Sequence, residues 1–126
     1  MARVLVAEDD AEVRALIGAV VRQSKHQVEF AADGHEAIEC LSSGDYDIIL
    51  LDLMMPKASG FEVLAWMHRA KPGMARRSVI VLTAMSEKDL VHLTQDRVFA
   101  VIRKPFDIHL LAAKIAESLA AAAPSC

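Results

Sequence analysis

Five polar residues in this sequence have the side-chain types needed for phosphoryl chemistry. Each follows an apolar run: Glu8 and Asp9 follow VLVA, Asp52 follows IILL, Thr83 follows VIVL and Lys104 follows AVIR. An ionised carboxylate at the end of a buried run is costly unless other groups compensate it. Three carboxylates within about 5 Å would repel one another by a few kcal/mol per pair, so they require a bound cation and a nearby ammonium.

The reaction that suits these side chains is transfer of a phosphoryl group to a carboxylate. An all-oxygen set with few protein ligands is typical of Mg²⁺, which keeps several waters and bridges carboxylates and phosphate oxygens. Beside such an ion, Asp52 is a candidate nucleophile that would form an acyl phosphate. Lys104 and the metal would neutralise charge on the transferring group, and the Thr83 hydroxyl would bond a phosphate oxygen.

Each of these residues has a common structural explanation when it is taken alone. An Asp after a strand is most often a turn former or a helix cap, and the acidic run 8–10 resembles an N-terminal capping cluster. Thr83 alone is typical of a β-branched strand residue, and Lys104 with Pro105 is typical of a loop. Their joint position at the ends of four predicted strands is what favours a functional site.

The elements that would position these residues follow from hydrophobic periodicity. Five β-branched or Leu-rich runs predict strands at residues 3–7, 28–32, 47–51, 78–82 and 99–102. Helices are predicted around residues 13–21, 34–42, 61–70 and 108–121, with another opening at Ser86. Asp9 or Asp10 is the expected N-cap of the first helix. Glu12 lies three residues after Asp9, so it could complete a capping box with Asp9. An exposed turn is expected at Arg76 and Arg77.

Strict alternation of strands and helices predicts an α/β fold. Right-handed crossovers would give a doubly wound, five-stranded parallel sheet of flavodoxin-like order 2-1-3-4-5, with helices on both faces. Such sheets bind ligands outside the carboxyl ends of the strands, where the strand order reverses. The predicted domain covers residues 1–121, and residues 122–126 are predicted to be a disordered tail.

Size and charge limit the function classes. The chain has 126 residues, enough for one domain, and a formal net charge of -3 with scattered Lys and Arg, which gives no pull toward nucleic acid or anionic lipid. No apolar stretch is long enough to span a bilayer, and the N-terminus lacks a secretory pattern. Cys40 and Cys126 have no redox or metal-binding spacing. We expect a cytoplasmic protein with no direct nucleic acid or membrane partner.

Four motifs in this order and spacing strongly resemble the receiver domain of two-component response regulators: VLVAEDD, IILLDLMMPKASG, VIVLTA and RKPF. The resemblance covers essentially the whole chain. It implies that Glu8 and Asp9 form an acidic pair that binds Mg²⁺ together with Asp52. It also implies that Met54 is a Mg²⁺ ligand through its backbone carbonyl.

The same resemblance implies the roles of the remaining site residues. Asp52 would be the phosphoacceptor, Thr83 the switch hydroxyl and Lys104 the lysine that contacts the phosphate. The bond between Lys104 and Pro105 would be cis. Asp10 falls just past the acidic pair in this alignment, so it is better explained as a helix cap.

The sequence also departs from the family pattern. Val101 stands where the family often has an aromatic residue whose rotation reports phosphorylation, and Phe99 is predicted to share its face of the strand. Met54 and Met85 flank the site with apolar side chains that cannot orient a hydrolytic water, which predicts a long-lived acyl phosphate. Gly60 is expected to close the loop after Pro56 with a positive φ.

The function implied is that of a signalling switch rather than an enzyme. A phosphohistidine on a sensor histidine kinase or a histidine phosphotransfer protein would donate its phosphoryl group to Asp52. The face formed by the helix opening at Ser86, the fifth strand and the last helix would then change its affinity for a downstream protein. We expect a stand-alone receiver that is monomeric or weakly dimeric, although a receiver excised from a larger protein would look the same.

Two alternatives belong to other function classes. The first is a Mg²⁺-dependent phosphohydrolase with an Asp nucleophile, but such enzymes usually carry a second acid two residues later, where this chain has Met54. The second is a pseudo-receiver, an interaction domain that no longer takes phosphate. The intact set of acids, hydroxyl and lysine argues against the second alternative.

Overall fold

A computed structural model describes residues 2–86 and 98–122 of the chain. The five strands are β1 (Arg3–Ala7), β2 (Gln27–Ala31), β3 (Ile48–Asp52), β4 (Val79–Thr83) and β5 (Ala100–Arg103). The helices within these ranges are α1 (Ala11–Gln23), α2 (Gly34–Ser43), α3 (Gly60–Ala70), α4 (Met74–Ser78) and α5 (Ile108–Ala122). The helix predicted to open at Ser86 lies almost wholly outside the described residues. So does the predicted tail, except for Ala122 at the end of α5.

All five strands are parallel, in the order β2-β1-β3-β4-β5. This confirms the predicted fold. The central strands β3 and β4 are buried at every position, whereas the edge strand β2 is exposed at three of its five residues. A parallel sheet covered on both faces requires such continuous apolar runs in its centre, because successive side chains point to opposite faces and both are buried.

Alternate residues of each strand enter two separate cores. Leu5 and Ala7 of β1 pack with residues of α2, α3 and α4, whereas Val4 and Val6 pack with residues of α1 and α5. The two-residue period of a strand therefore builds both layers at once. The two cores hold the strands rigidly, so the side chains that emerge at the carboxyl edge of the sheet have fixed positions.

Helix α4 corrects the exposed turn predicted at Arg76 and Arg77. Both arginines are exposed, but they lie in a short helix that begins after Gly73, which has φ 85°. Buried Met74 anchors this helix in the core, and Ser118 of α5 donates a hydrogen bond of 3.0 Å to the Arg77 carbonyl. Five residues are too few to show helical periodicity, so tertiary packing decides this element.

The end of α1 shows a lysine in a conformation that favours glycine. Lys25 has φ 66°, and it follows the C-cap residue Ser24. The Lys25 amide donates to the Arg22 carbonyl at 2.9 Å, and the His26 amide donates to the Val21 carbonyl at 3.3 Å. These two hydrogen bonds are those of a Schellman motif, which usually has glycine at the left-handed position.

We expect Lys25→Gly to raise the free energy of unfolding by about 0.5–1 kcal/mol. A residue with a Cβ costs about 1–2 kcal/mol in the left-handed region, and glycine avoids this cost. The greater freedom of glycine in the unfolded chain cancels only part of the gain. Urea unfolding of the two proteins measures the difference. Lys25→Ala removes the same charge but keeps the Cβ, so an equal gain in that variant would contradict the backbone explanation.

No helix in the part of the chain that the structure describes is both long enough and apolar enough to cross a bilayer.

Candidate functional site

The residues predicted for the site come together at the carboxyl edge of the sheet. Glu8 directly follows β1, Asp52 is the last residue of β3, Thr83 is the last residue of β4, and Lys104 directly follows β5. These four strands are consecutive neighbours in the sheet. The site therefore lies where the strand order reverses, at the position expected for an open α/β sheet.

Three carboxylates form the acidic part of the site. One oxygen from each of Glu8, Asp9 and Asp52 lies within 4.8 Å of the other two. Glu8 is only 1% exposed and Asp52 4%, whereas Asp9 is exposed. Oxygens bound to one Mg²⁺ lie about 3.0–4.2 Å apart, so the three carboxylates are close to the spacing that such an ion requires. The hard oxygen donors and their spacing fit a divalent cation.

Lys104 supplies the positive charge nearest to the acids among residues 2–86 and 98–122. Its Nζ lies 2.6 Å from Glu8 Oε1 and 3.4 Å from Asp52 Oδ2, and its side chain is 21% exposed. Burial alone would lower the pKa of this ammonium, but the hydrogen bond to Glu8 and the charge of Asp52 outweigh it and raise the pKa above its ordinary value. Lys104 therefore stays protonated and compensates two carboxylates that are almost fully buried.

Asp9 is the third carboxylate of the site, whereas the ion pairs of Lys104 are with Glu8 and Asp52. Burial and a hydrogen bond with Glu8 raise the pKa of the Asp9 carboxyl, and the negative charge of Glu8 raises it further. One ammonium among three carboxylates leaves an excess of negative charge. This excess is the electrostatic reason why a divalent cation would be bound there.

The backbone after β3 and β4 orients the two central side chains. The Met54 amide donates to Asp52 Oδ1 at 3.1 Å, and the Met85 amide donates to Thr83 Oγ1 at 3.1 Å. Thr83 is completely buried, and its carbonyl accepts a 2.7 Å hydrogen bond from the Lys104 amide. The Thr83 hydroxyl accepts this hydrogen bond and can donate its own proton to another oxygen.

The sequence model of the response regulator receiver domain matches residues 4–116 of the chain. The chain belongs to the response regulator receiver domain family. Such domains act in phosphorylation-dependent signalling in two-component systems. The cis bond between Lys104 and Pro105 agrees with what the resemblance implied.

Individual relatives of this receiver domain agree with the family match. The chain is 32% identical to the transcriptional regulatory protein TcrA of Mycobacterium tuberculosis over 114 residues, which is 90% of this chain but 44% of TcrA. The receiver domain of a Francisella response regulator is 25% identical with a TM-score of 0.89, covering 98% of this chain and all of that one. TrrA of Thermotoga maritima, solved in complex with Mg²⁺ and BeF, is 28% identical with a TM-score of 0.80, covering 94% and 100%.

The acidic turn of this receiver domain is held by groups on α1. Asp10 is the N-cap of α1, since its Oδ1 accepts from the amides of Glu12 and Val13 at 2.9 and 3.1 Å. The capping role predicted for Asp10 is confirmed, and the capping box from Asp9 is wrong. Arg14, which sequence reasoning missed, donates from Nη1 to the Glu8 carbonyl at 2.8 Å. No local sequence pattern predicts that contact, because it depends on how α1 packs against the end of β1.

Gly60 lies against the end of β3, which corrects the reason predicted for it. Its φ is not positive, since Gly73 is the one glycine with that property among residues 2–86 and 98–122. A Cβ at Gly60 would instead lie 2.4 Å from the Asp52 carbonyl oxygen and 2.6 Å from Leu53 Cα. The Gly60 amide also donates to the Leu53 carbonyl at 3.0 Å. Glycine is needed here because the start of α3 touches the backbone of Asp52.

The loop after Asp52 is also attached to the start of α2. Lys57 has φ 66°, and its Nζ lies 3.6 Å from Asp33 Oδ2. Asp33 caps α2 by accepting from the Glu36 amide at 2.9 Å, and this hydrogen bond is the main cause that lowers the pKa of the Asp33 carboxyl. A Cβ at Gly34 would lie 1.9 Å from the Ala58 carbonyl oxygen. The letters DGHE already show the cap, but the contact with the loop is a tertiary feature.

The position with an aromatic residue in many receiver domains is occupied by Val101, which is partly buried. It packs against the core that contains α2, α3 and α4, whereas Phe99 packs against the core that contains α1 and α5. The prediction that Phe99 shares the face of Val101 is therefore wrong. Phe99 lies in a bend before β5 begins at Ala100, so strand alternation does not extend to it.

Proposed function

We propose that this receiver domain accepts a phosphoryl group on Asp52 from a phosphohistidine of a sensor histidine kinase or a histidine phosphotransfer protein. The observation that carries the proposal is the environment of the Asp52 carboxylate. It is 4% exposed, it lies 3.4 Å from the Lys104 ammonium, and it lies within 4.8 Å of two further carboxylates. The match to the receiver family over most of the chain supports the same role.

The acids would hold Mg²⁺ in this proposal, with side-chain oxygens of Glu8, Asp9 and Asp52 and the backbone carbonyl of Met54 as ligands. When bound, the ion supplies positive charge to the oxygens of the transferring group. The solved complex of TrrA with Mg²⁺ and BeF supports this assignment, because it is a structural neighbour of the same family. The three converging carboxylates are the feature of this chain that favours it.

The chain's own residues would act as follows. A carboxylate oxygen of Asp52 attacks phosphorus, the new P–O bond forms as the P–N bond breaks, and the electron pair of the P–N bond stays on the donor imidazole, which takes up a proton. Lys104 Nζ would stabilise the charge on the phosphoryl oxygens, and the Thr83 hydroxyl would donate to one of them. The domain would modify itself without releasing a product over many cycles, so we do not classify it as an enzyme.

The output would be a change of affinity for a downstream protein. The proposed surface comprises β5, α5 and the helix predicted to open at Ser86, which lies outside the described residues. Thr83 connects the acceptor to this surface, because its carbonyl accepts from the amide of Lys104, the residue that follows β5. With no aromatic side chain at Val101, the signal would pass through Thr83 and the segment after β4.

The test is intact-mass measurement after incubation with phosphoramidate and Mg²⁺. We expect the wild type to gain one phosphoryl mass and Asp52→Asn to gain none. Asp10→Asn is a matched control, because Asn caps a helix as well as Asp and this acid lies outside the three converging carboxylates; it should be labelled like the wild type. An unlabelled wild type would favour a pseudo-receiver, and steady release of more than one phosphate per chain would favour a phosphohydrolase.

The acyl phosphate should last for minutes or longer with Mg²⁺ and no partner. The side chains next to the acceptor and the switch hydroxyl are Met54 and Met85, and a thioether is too weak an acceptor to orient an attacking water. Loss of the phosphoryl mass over time measures the lifetime. Met54→Asn offers an amide at the same place and should shorten it by about tenfold. A wild-type half-life of seconds would contradict the prediction.

A further inference from the structure

Asp9 is the least constrained of the three converging carboxylates. Glu8 and Asp52 are almost fully buried, and both form ion pairs with Lys104. Asp9 is exposed, and the ion pairs of Lys104 do not include it. The direction in which the Asp9 carboxylate points therefore depends mainly on the backbone that carries it.

The backbone on both sides of the Asp9 Cα is held by one side chain. Arg14 Nη1 donates to the Glu8 carbonyl at 2.8 Å and, in a longer contact, to the Asp9 carbonyl at 3.4 Å. These carbonyls belong to the two peptide groups that meet at the Asp9 Cα. Because each peptide group is planar, holding both carbonyls restricts φ and ψ of Asp9. The guanidinium thereby restricts the direction of the Asp9 side chain.

The residues on either side of Asp9 are fixed by other contacts. The Glu8 amide donates to the Ala31 carbonyl of β2 at 3.0 Å, and the Asp10 amide donates to Glu8 Oε2 at 3.2 Å. The Asp10 carbonyl accepts from the Arg14 amide at 2.9 Å, within the first turn of α1. Arg14 is partly buried, so water competes less for the hydrogen bonds of its guanidinium.

We propose that Arg14 is a positioning residue for the Mg²⁺ site, because its guanidinium holds the backbone that aims the Asp9 carboxylate. The inference rests on the proposed function, in which Asp9 is a Mg²⁺ ligand. It adds a residue that acts on the metal only through that ligand. Loss of a group that orients a metal ligand typically costs about 10–100-fold in metal affinity.

Two observations separate positioning from a simple effect of charge. Arg14 is a cation, so its charge alone disfavours a second cation nearby, and its removal would tighten the binding of any divalent ion. A misplaced ligand has the opposite effect, and the effect depends on the ion. Mg²⁺ requires near-ideal octahedral geometry, whereas Ca²⁺ accepts irregular ligand sets. Loss of positioning should therefore weaken Mg²⁺ binding more than Ca²⁺ binding.

The test is calorimetric titration of Arg14→Met with Mg²⁺ and with Ca²⁺. We expect the Mg²⁺ dissociation constant to rise about tenfold and the Ca²⁺ constant to rise by a smaller factor. Arg22→Met is the matched control, because it removes the same group from the same helix about 12 Å further along. The Arg22 guanidinium lies over the Phe30 ring, 5.5 Å from its centroid. Both constants should keep their wild-type values in this control.

Urea unfolding without divalent ions shows whether Arg14→Met is folded under the titration conditions. If it is not, Arg14→Lys takes its place, because it keeps the charge but ends one bond nearer the backbone; the same difference between the two ions is expected. Unchanged or tighter Mg²⁺ binding, or equal weakening of both ions, would overturn the positioning role and leave the phosphorylation of Asp52 intact. A wild type that phosphoramidate and Mg²⁺ fail to label would overturn the proposed function and this inference together.

Discussion

Lys104→Gln should slow phosphorylation of Asp52 by small donors about 100-fold or more, while it tightens Mg²⁺ binding about tenfold. The two effects have opposite signs because the Lys104 ammonium contacts two carboxylates at once. Its Nζ lies 2.6 Å from Glu8 Oε1 and 3.4 Å from Asp52 Oδ2. It therefore neutralises charge beside Asp52, the proposed acceptor, and would compete with a cation for these carboxylates.

The loss of rate follows from the charge that develops on the phosphoryl oxygens. A fixed donor in a recessed site needs no rearrangement during the reaction, and its removal typically costs two to three orders of magnitude in rate. Lys104 has the right properties, because its side chain is only 21% exposed and its pKa is raised above the ordinary value of a lysine. Gln keeps the length and can donate a hydrogen bond, but it carries no charge.

Tighter Mg²⁺ binding follows from the acids that Lys104 leaves behind. Without the ammonium, the three carboxylates within 4.8 Å of one another lose the positive partner that the described residues give them, and a divalent cation becomes their main compensation. The quantities to measure are the Mg²⁺ dissociation constant by titration and the rate of phosphoramidate labelling at saturating Mg²⁺.

A matched control is Lys57→Gln. Lys57 is also a lysine beside a buried acid, at 3.6 Å from Asp33, but it does not contact the three carboxylates. Both quantities should stay near the wild-type values in this variant. If Lys104→Gln weakened Mg²⁺ binding or left the labelling rate unchanged, the assignment of Lys104 as the charge that stabilises the phosphoryl group would be wrong.

Gly60→Ala should lower the free energy of unfolding by about 3 kcal/mol and impair labelling of Asp52. The added Cβ would lie 2.4 Å from the Asp52 carbonyl oxygen and 2.6 Å from Leu53 Cα, which are distances that require the backbone to move. Neither neighbour is the end of a flexible side chain. The strand β3, which carries Asp52, and the helix α3 must therefore separate.

Gly44→Ala provides the comparison for this substitution. The nearest atom to a Cβ at Gly44 is 3.6 Å away, in the Arg3 side chain, and its φ of -159° is open to any residue. Alanine there should be neutral or slightly stabilising, because it restricts the unfolded chain. Urea unfolding of both variants tests this contrast. A Gly60→Ala protein as stable as the wild type would mean that α3 does not press on the end of β3.

Much of the site was predictable because strand ends can be located from short segments. Apolar runs of about five residues indicate β1, β3 and β4, and the parallel arrangement brings their carboxyl ends to one edge. Glu8, Asp52, Thr83 and Lys104 could be grouped on that basis, and the family motifs agreed. The observed strands differ from the predicted ones by no more than one residue at each end.

Other features could not be predicted because they depend on contacts between distant segments. The need for glycine at position 60 comes from the closeness of β3, and the short helix α4 comes from the packing of Met74 and Ala75. The error at Phe99 has a similar origin. Alternation holds only within a strand, and the bend before β5 turned that ring to the other core.

The sequence by itself determined the alternation of strands and helices, the parallel sheet that follows from it, and the identity of the polar residues at the strand ends. These depend on periodicity and chain order, which are local properties. Only the tertiary structure decided that Lys104 contacts Glu8 across 96 positions of sequence and that α3 touches the backbone of Asp52. The physical reason is that close packing between elements sets these distances, and no short segment contains both partners.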